Sequence, residues 1–259
     1  MAAHSARDAT LSDATLYASN AWTWVGQEVV FRIGEAIDLK IDLEERCWER
    51  GRRCGAATPR LLETGIFQAR RYMVTDRLTG AHPDATLPRT AGVFLAALHG
   101  GSAGGLRRRG NWPARRDRRY PAAWDHAHGV LASGHPALGL IEAAQRDLRE
   151  GRLVPNHGDF RAANMLVGPG DVLGVLDWSD FHAGTREEDL GGCDPALIPA
   201  LLHGYQRARS VPIDPALVAG HAFARLFSLC AFGVLPLCNA LESVPVLLGL
   251  AADLGVRSC

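Results

Sequence analysis

The chain has 259 residues, enough to bury a large core as one big domain or as two lobes. Its 28 acidic and 28 basic residues cancel, so no global charge draws it to nucleic acid or to an anionic membrane. Apolar content of 47% is that of an ordinary globular enzyme, and the six cysteines (Cys47, Cys54, Cys193, Cys230, Cys238 and Cys259) form no C-x-x-C pair that would suggest zinc.

The amino-terminal stretch Met1–Asp8 has no apolar signal core, which points to the cytoplasm. A first strand falls at about Ala14 to Tyr17 or is absent. Ala21–Val25 and the β-prone run Val29–Ile33 then read as a hairpin through Gly26-Gln27. Leu43–Arg53 reads as a helix with Gly55 near its end. Pro59–Leu62 and Tyr72–Thr75 are further strand candidates, and Gly80-Ala81-His82-Pro83 closes this part. The chain therefore divides into residues 1–79 and 80–259.

Arg107-Arg108-Arg109 and Arg115-Arg116-Asp117-Arg118-Arg119 flank Asn111-Trp112-Pro113 in a glycine-rich segment. Basic residues interleaved with an aromatic can bind RNA or DNA. With the rest of the chain not basic, a solvated loop is the preferred reading, and ordering over a small ligand stays open. The apolar stretch Leu226–Leu241 is interrupted by Pro236 and Asn239 and is too short for a membrane span. A buried helix pair is expected there.

The densest chemistry lies at His157-Gly158-Asp159-Phe160-Arg161-Ala162-Ala163-Asn164, with Asp177-Trp178 beginning thirteen residues after Asn164. Asp159 can accept a proton from a hydroxyl. Asn164 and Asp177 can hold Mg2+ against nucleotide phosphates, since this ion takes a few carboxylate or carbonyl oxygens plus phosphates. Protein kinases use the same order of Asp, Asn and metal-binding Asp. Gly168-Pro169-Gly170-Asp171 is a turn between two apolar runs, so a hairpin starts after Asn164 and delivers Asp177.

In HGDFRAANMLV followed by VLDW, the chain resembles the aminoglycoside phosphotransferase family, relatives of choline, homoserine and protein kinases. Phe181, Gly184 and Asp189-Leu190 look like the family's segment after DW, where an aspartate pins the catalytic region. Phe94–Gly100 resembles its helix ending in LHG.

The resemblance implies an α+β, bilobal, protein-kinase-like fold: a small β-rich nucleotide lobe and a larger helical catalytic lobe. It implies an O-phosphotransferase using ATP, or GTP, and Mg2+, with Asp159 beside the acceptor hydroxyl. Ser19 and Asn20 would cover the phosphates. A phosphate-holding cation belongs on the strand before the helix, braced by a helix acid. Arg32 is preferred over Lys40, the only lysine, with Glu45 as partner and Glu44 as fallback. Tyr72–Leu78 resembles the hinge, so the carbonyl of Asp76 and the amide of Leu78 would read adenine and Thr75 would line its pocket. Asp180, Glu187, Glu188 and Asp194 fall where family members bind substrate, and such acids suit a small cationic antibiotic, an aminoglycoside or a basic peptide of the viomycin or capreomycin type. A metabolite kinase for a choline-like or sugar alcohol is the alternative. A catalytically silent kinase fold and an RNA-binding protein are further ones.

Overall fold

The computed structural model describes residues 15–18, 21–35, 40–83, 89–106 and 119–253. In chain order the strands are β1 (Thr15–Ala18), β2 (Trp22–Val25), β3 (Val29–Gly34), β4 (Leu61–Phe67), β5 (Arg70–Asp76), β6 (Val154–Asn156), β7 (Met165–Val167), β8 (Leu173–Val175) and β9 (His182–Gly184). The helices are α1 (Ile41–Arg53), α2 (Arg89–Leu98), α3 (Arg119–Val130), α4 (Pro136–Glu150), α5 (Arg186–Gly191), α6 (Ile198–Ala208), α7 (Pro215–Ala231), α8 (Leu237–Glu242) and α9 (Val244–Asp253).

The first of two compact units carries an antiparallel sheet in the order β1-β2-β3-β5-β4. The expected hairpin of β2 and β3 is present, and the first strand exists. β4 runs on to Phe67, past the expected end at Leu62. Gly65 hides this strand in the sequence, because glycine disfavours strands. Here it faces Tyr72 across the ladder, and a Cβ at Gly65 would lie 2.7 Å from the tyrosine ring. The aromatic covers the gap that the glycine leaves. Gln68 and Ala69, at φ 47° and 62°, make the two-residue turn whose left-handed conformation matches strand twist.

Helix α1 starts two residues before the expected Leu43. It buries Ile41, Glu44, Cys47, Trp48 and Gly51, a stripe at helical spacing. Asp42 and Glu44 in its first turn and Arg50, Arg52 and Arg53 in its last suit the helix dipole.

The boundary drawn at residue 80 needs correction, because Leu166–Ser179 also belongs to this first unit. Backbone bonds stitch it in. Ala57 donates to the Leu173 carbonyl at 2.8 Å and accepts from the Val175 amide at 2.9 Å, while Ala81 and Val167 exchange bonds of 3.1 and 2.8 Å. β7 and β8 pair as the expected hairpin, with Gly170 and Asp171 at φ 70° and 58° in its turn.

The second unit is mainly helical and includes the small sheet β6-β9. Its centre is α7, buried at every position from Val218 to Ser228, with α3, α4, α5 and α9 packed around it. Glycines set the closest crossings: a Cβ at Gly92 of α2 would lie 2.4 Å from the Leu201 carbonyl of α6. The expected buried helix pair at 226–241 is only half realised. α7 ends at Ala231, Phe232 and Val234 are exposed, and α8 buries only Ala240. Among the described residues no helix is long and apolar enough to cross a membrane.

Candidate active site

The loop that carries Asp159 and Asn164 lies in the helical unit. β6 ends at Asn156, and the loop His157-Gly158-Asp159 follows directly. Gly158 has φ 88°, and a Cβ there would lie 2.2 Å from the Asp180 carbonyl, so glycine is required. Asp189 of α5 fixes this turn from below. Its carboxylate accepts the His157 amide at 2.7 Å and the Gly158 amide at 2.8 Å. His99 donates through Nε2 to the same carboxylate at 3.2 Å, which leaves Nδ1 to accept from the Tyr205 hydroxyl at 3.1 Å. Burial pushes the Asp189 carboxyl up, but the hydrogen bonds from His99 and the Gly158 amide, with the electrostatic attraction of the His99 and His157 rings, outweigh it and hold it below the usual value. The role expected of Asp189, pinning the loop, is thus visible as geometry. His157 is fully buried, and its Nδ1 accepts the Asp159 amide at 3.4 Å, a supporting role. Phe160 stacks on Phe94 of α2 at 5.7 Å.

The Asp159 carboxylate is held on both oxygens. Oδ2 accepts from Arg161 Nε at 3.0 Å and from Asn164 Nδ2 at 2.8 Å. Oδ1 forms an ion pair with Arg225 of α7 at 3.6 Å. Asn164 Nδ2 also donates to the Asp159 carbonyl at 2.8 Å. Both partners of that nitrogen are acceptors, so the amide orientation is fixed and Oδ1 is turned away from Asp159. Sequence reasoning missed Arg225. It lies 66 residues from Asp159 with no motif around it, and only the packing of α7 brings it there.

The sheet unit carries Arg32, Glu44 and Asp177. Arg32 on β3 donates through one nitrogen to both Glu44 oxygens, at 2.9 and 3.2 Å. The expected partner Glu45 is therefore corrected to Glu44. Glu45 is one position round the helix and points to solvent, while Glu44 is 1% exposed. Burial pushes the Glu44 carboxyl up against the opposing pull of Arg32, and the nearby charge of Asp177 pushes it further. The DW aspartate therefore shares the electrostatic surroundings of the Arg32–Glu44 pair.

Asp177 is exposed and sits at φ 53°, a left-handed conformation that costs a non-glycine residue on the order of 1 kcal/mol. Ser179 Oγ donates to its Oδ1 at 2.8 Å, and Lys40 Nζ donates to the Ser179 carbonyl at 3.0 Å. Trp178 is fully buried, donates through Nε1 to the Val175 carbonyl at 3.1 Å and packs on Gly51, where a Cβ would lie 2.7 Å from its ring. Near the end of β5, Thr75 is buried. The Asp76 amide donates to the Arg60 carbonyl at 3.1 Å, the Asp76 carboxylate accepts the Arg60 amide at 2.6 Å, and the Arg77 amide donates to Glu28 at 2.8 Å. The adenine reading uses two other groups, the Asp76 carbonyl and the Leu78 amide. Ser19, Asn20 and the arginine segment 107–118 lie outside the described residues.

A family model described as phosphotransferase enzyme family matches residues 18–224. The chain belongs to this phosphotransferase family. It is accordingly a kinase-type phosphotransferase acting on a hydroxyl group. Solved structures of similar fold include the GDP complex of an aminoglycoside 2′-phosphotransferase, at 12% identity and TM-score 0.60 over 98% of this chain and 97% of that one. A spectinomycin phosphotransferase in complex with ADP and spectinomycin aligns at 14% identity and TM-score 0.58, covering 90% and 88% of the two chains. A choline/ethanolamine kinase family protein from Mesorhizobium loti aligns at 18% and 0.58, covering 98% and 93%. No curated protein matches the chain.

The four acids expected to meet the phosphotransferase's acceptor fare unequally. Glu188 is buried, with Oε2 accepting from His182 Nε2 at 3.1 Å and from Asn156 Nδ2 at 3.4 Å. Glu187 is buried too, and desolvation, reinforced by the charge of Asp147, raises its carboxyl above the usual value. Both stand on α5, in the interior. Asp194 is half-buried, and its Oδ2 accepts the Ala162 amide at 2.9 Å, bracing the turn that carries Asn164. Asp180 is half-buried.

Proposed function

We propose that this phosphotransferase uses ATP, or GTP, with Mg2+ to phosphorylate a hydroxyl of a small cationic antibiotic. The observation that carries this reading is the Asp159 carboxylate, fixed by Asn164, Arg161 and Arg225 on a loop pinned by Asp189. A carboxylate so held aligns an acceptor hydroxyl and takes its proton late in transfer. Asn164 and Asp177 are the magnesium ligands in this reading. The donor set fits: an amide oxygen turned away from Asp159 and an exposed carboxylate are the hard oxygens this ion prefers. The bound ion would neutralise phosphate charge. Arg32, braced by Glu44, would hold the phosphates, and its planar fork suits two-point contact. Support for an antibiotic acceptor comes from family membership together with the spectinomycin- and aminoglycoside-modifying enzymes that share the fold.

A small-metabolite kinase is the second reading, favoured by the likeness to the choline/ethanolamine kinase family protein. The test is incubation with ATP and Mg2+ against a mixed panel of antibiotics and of choline-like and sugar alcohols, read by mass spectrometry. The expected product is an antibiotic heavier by one phosphoryl group, and Asp159→Ala lowers its formation by about 1,000-fold without loss of fold. Turnover of a metabolite alone moves the assignment to the second reading.

A further inference from the structure

The only lysine of the chain is not spent on solvent. Lys40 caps the amino end of α1 through its backbone, its carbonyl accepting the amides of Leu43 and Glu44 at 3.0 Å each. Its side chain reaches 139 positions along the sequence to donate to the Ser179 carbonyl at 3.0 Å. Ser179 in turn donates its hydroxyl to Asp177 Oδ1 at 2.8 Å. One residue thus ties the start of the Glu44 helix to the turn that presents Asp177. That turn carries a left-handed aspartate at φ 53°, so its conformation must be imposed by its surroundings. The buried Trp178 fixes one side of it through Gly51 and Val175, and the Lys40–Ser179 bond fixes the other.

We propose that Lys40 is a positioning residue for Asp177: it locks the turn so that the exposed carboxylate is held ready for a divalent cation, and it does not hold phosphate. The proposal rests on the reading of Asp177 as a metal ligand. Groups that orient a metal ligand from behind change metal affinity by about 10- to 100-fold when removed. The division of labour follows from the geometry. Arg32 donates to both Glu44 oxygens, whereas Lys40, whose charge also reaches Glu44, donates to the backbone beside Asp177.

The experiment uses the full chain and Mn2+ as a spectroscopic stand-in for Mg2+. Electron paramagnetic resonance measures the Mn2+ Kd in the presence of a non-hydrolysable ATP analogue, and nucleotide affinity is measured separately in EDTA. For Lys40→Met the Mn2+ Kd rises about tenfold, while nucleotide affinity in EDTA is unchanged and the circular-dichroism spectrum is that of wild type. Lys40→Arg, which keeps a cationic donor, recovers part of the loss. For Arg32→Met the pattern reverses, with nucleotide affinity falling in EDTA as well. If Lys40→Met weakens nucleotide binding equally with and without metal, Lys40 holds phosphate and the proposal is overturned. An unchanged Mn2+ Kd overturns it too. Should the wild-type protein bind nucleotide without any Mn2+, the fault lies with Asp177 as a ligand, a failure distinct from that of Lys40.

Discussion

Replacing Asp189 by Asn tests whether the pinned loop matters to chemistry as well as to folding. The carboxylate accepts two backbone amides and His99, and it is 1% exposed. Asparagine keeps one acceptor oxygen but turns an amino group toward a former donor. At least one charge-assisted bond, about 1.5–3 kcal/mol, is lost, and a buried donor is orphaned at a further cost of about 1–3 kcal/mol. The sum is about 2.5–6 kcal/mol. At roughly 2–4 °C per kcal/mol for a unit of this size, the melting temperature falls by roughly 5–24 °C. The wild-type contribution is also pH-dependent. The folded carboxyl sits below its usual value, so its stabilisation is present above the ordinary carboxylate pKa and is lost as pH falls through the folded value. The variant therefore loses less stability than wild type on acidification. The amides that the carboxylate accepts belong to His157 and Gly158, next to Asp159, and a misplacement of about 1 Å costs about 100-fold in rate. Measured well below the variant's melting temperature, on the acceptor identified by the panel, kcat falls by about that factor while nucleotide affinity stays put. A folded variant whose kcat remains within about threefold of wild type would refute the coupling of brace to catalytic carboxylate.

Arg32→Met leaves Glu44 buried without its partner and costs about 3–5 kcal/mol, whereas Arg32→Met with Glu44→Leu regains most of that; denaturant melts of the two variants check the difference. Gly51→Ala gains about 1 kcal/mol of helix propensity, yet its Cβ would meet Trp178 and Thr58 at 2.7 Å, so thermal melting shows a net loss and the Mg2+ requirement rises. Glu187→Gln removes a carboxyl whose folded pKa is raised, a group whose contribution is present at low pH and is lost as pH rises through the folded value. The variant therefore melts above wild type near neutral pH, with a gain that shrinks as pH falls toward the ordinary carboxylate range, and its kcat is unchanged.

Local chemistry was readable in the sequence wherever spacing alone constrains it. Asp159, Asn164 and Asp177 belong to one short stretch, and the hairpin between them is punctuated by Gly168, Pro169 and Gly170. The five-stranded sheet was legible in outline, since β3 is a dense β-branched run, but β4 was cut short where Gly65 makes sense only opposite Tyr72. The choice between Glu44 and Glu45 turns on 100° of helix rotation, and a residue or two of error in the helix start decides it. Asp189 was legible because its segment, with Phe181 and Gly184, resembles the one that follows DW in the family. Arg225 and the Lys40–Ser179 bond join residues far apart in sequence, and no periodicity or motif encodes such pairs.

The surroundings of Asp159 carry a consequence for the acceptor. Of the four acids the sequence offered for a cationic substrate, Glu188 is engaged by His182 and Asn156, Glu187 is buried, and Asp194 braces Ala162. Meanwhile two guanidinium groups, Arg161 and Arg225, flank the Asp159 carboxylate. An ammonium placed beside the reacting hydroxyl would meet two like charges against one opposite charge. A cationic acceptor should therefore carry its amines away from the hydroxyl that is phosphorylated. Acceptor analogues that differ only in whether an amine adjoins that hydroxyl provide the measurement. The adjoining amine lowers kcat/KM by about tenfold, consistent with one unbalanced charge in a partly desolvated site, and the penalty shrinks in Arg225→Gln. A preference for the adjoining amine, undiminished in that variant, would mean that the arginines are turned to Asp159 so completely that the acceptor never senses their charge.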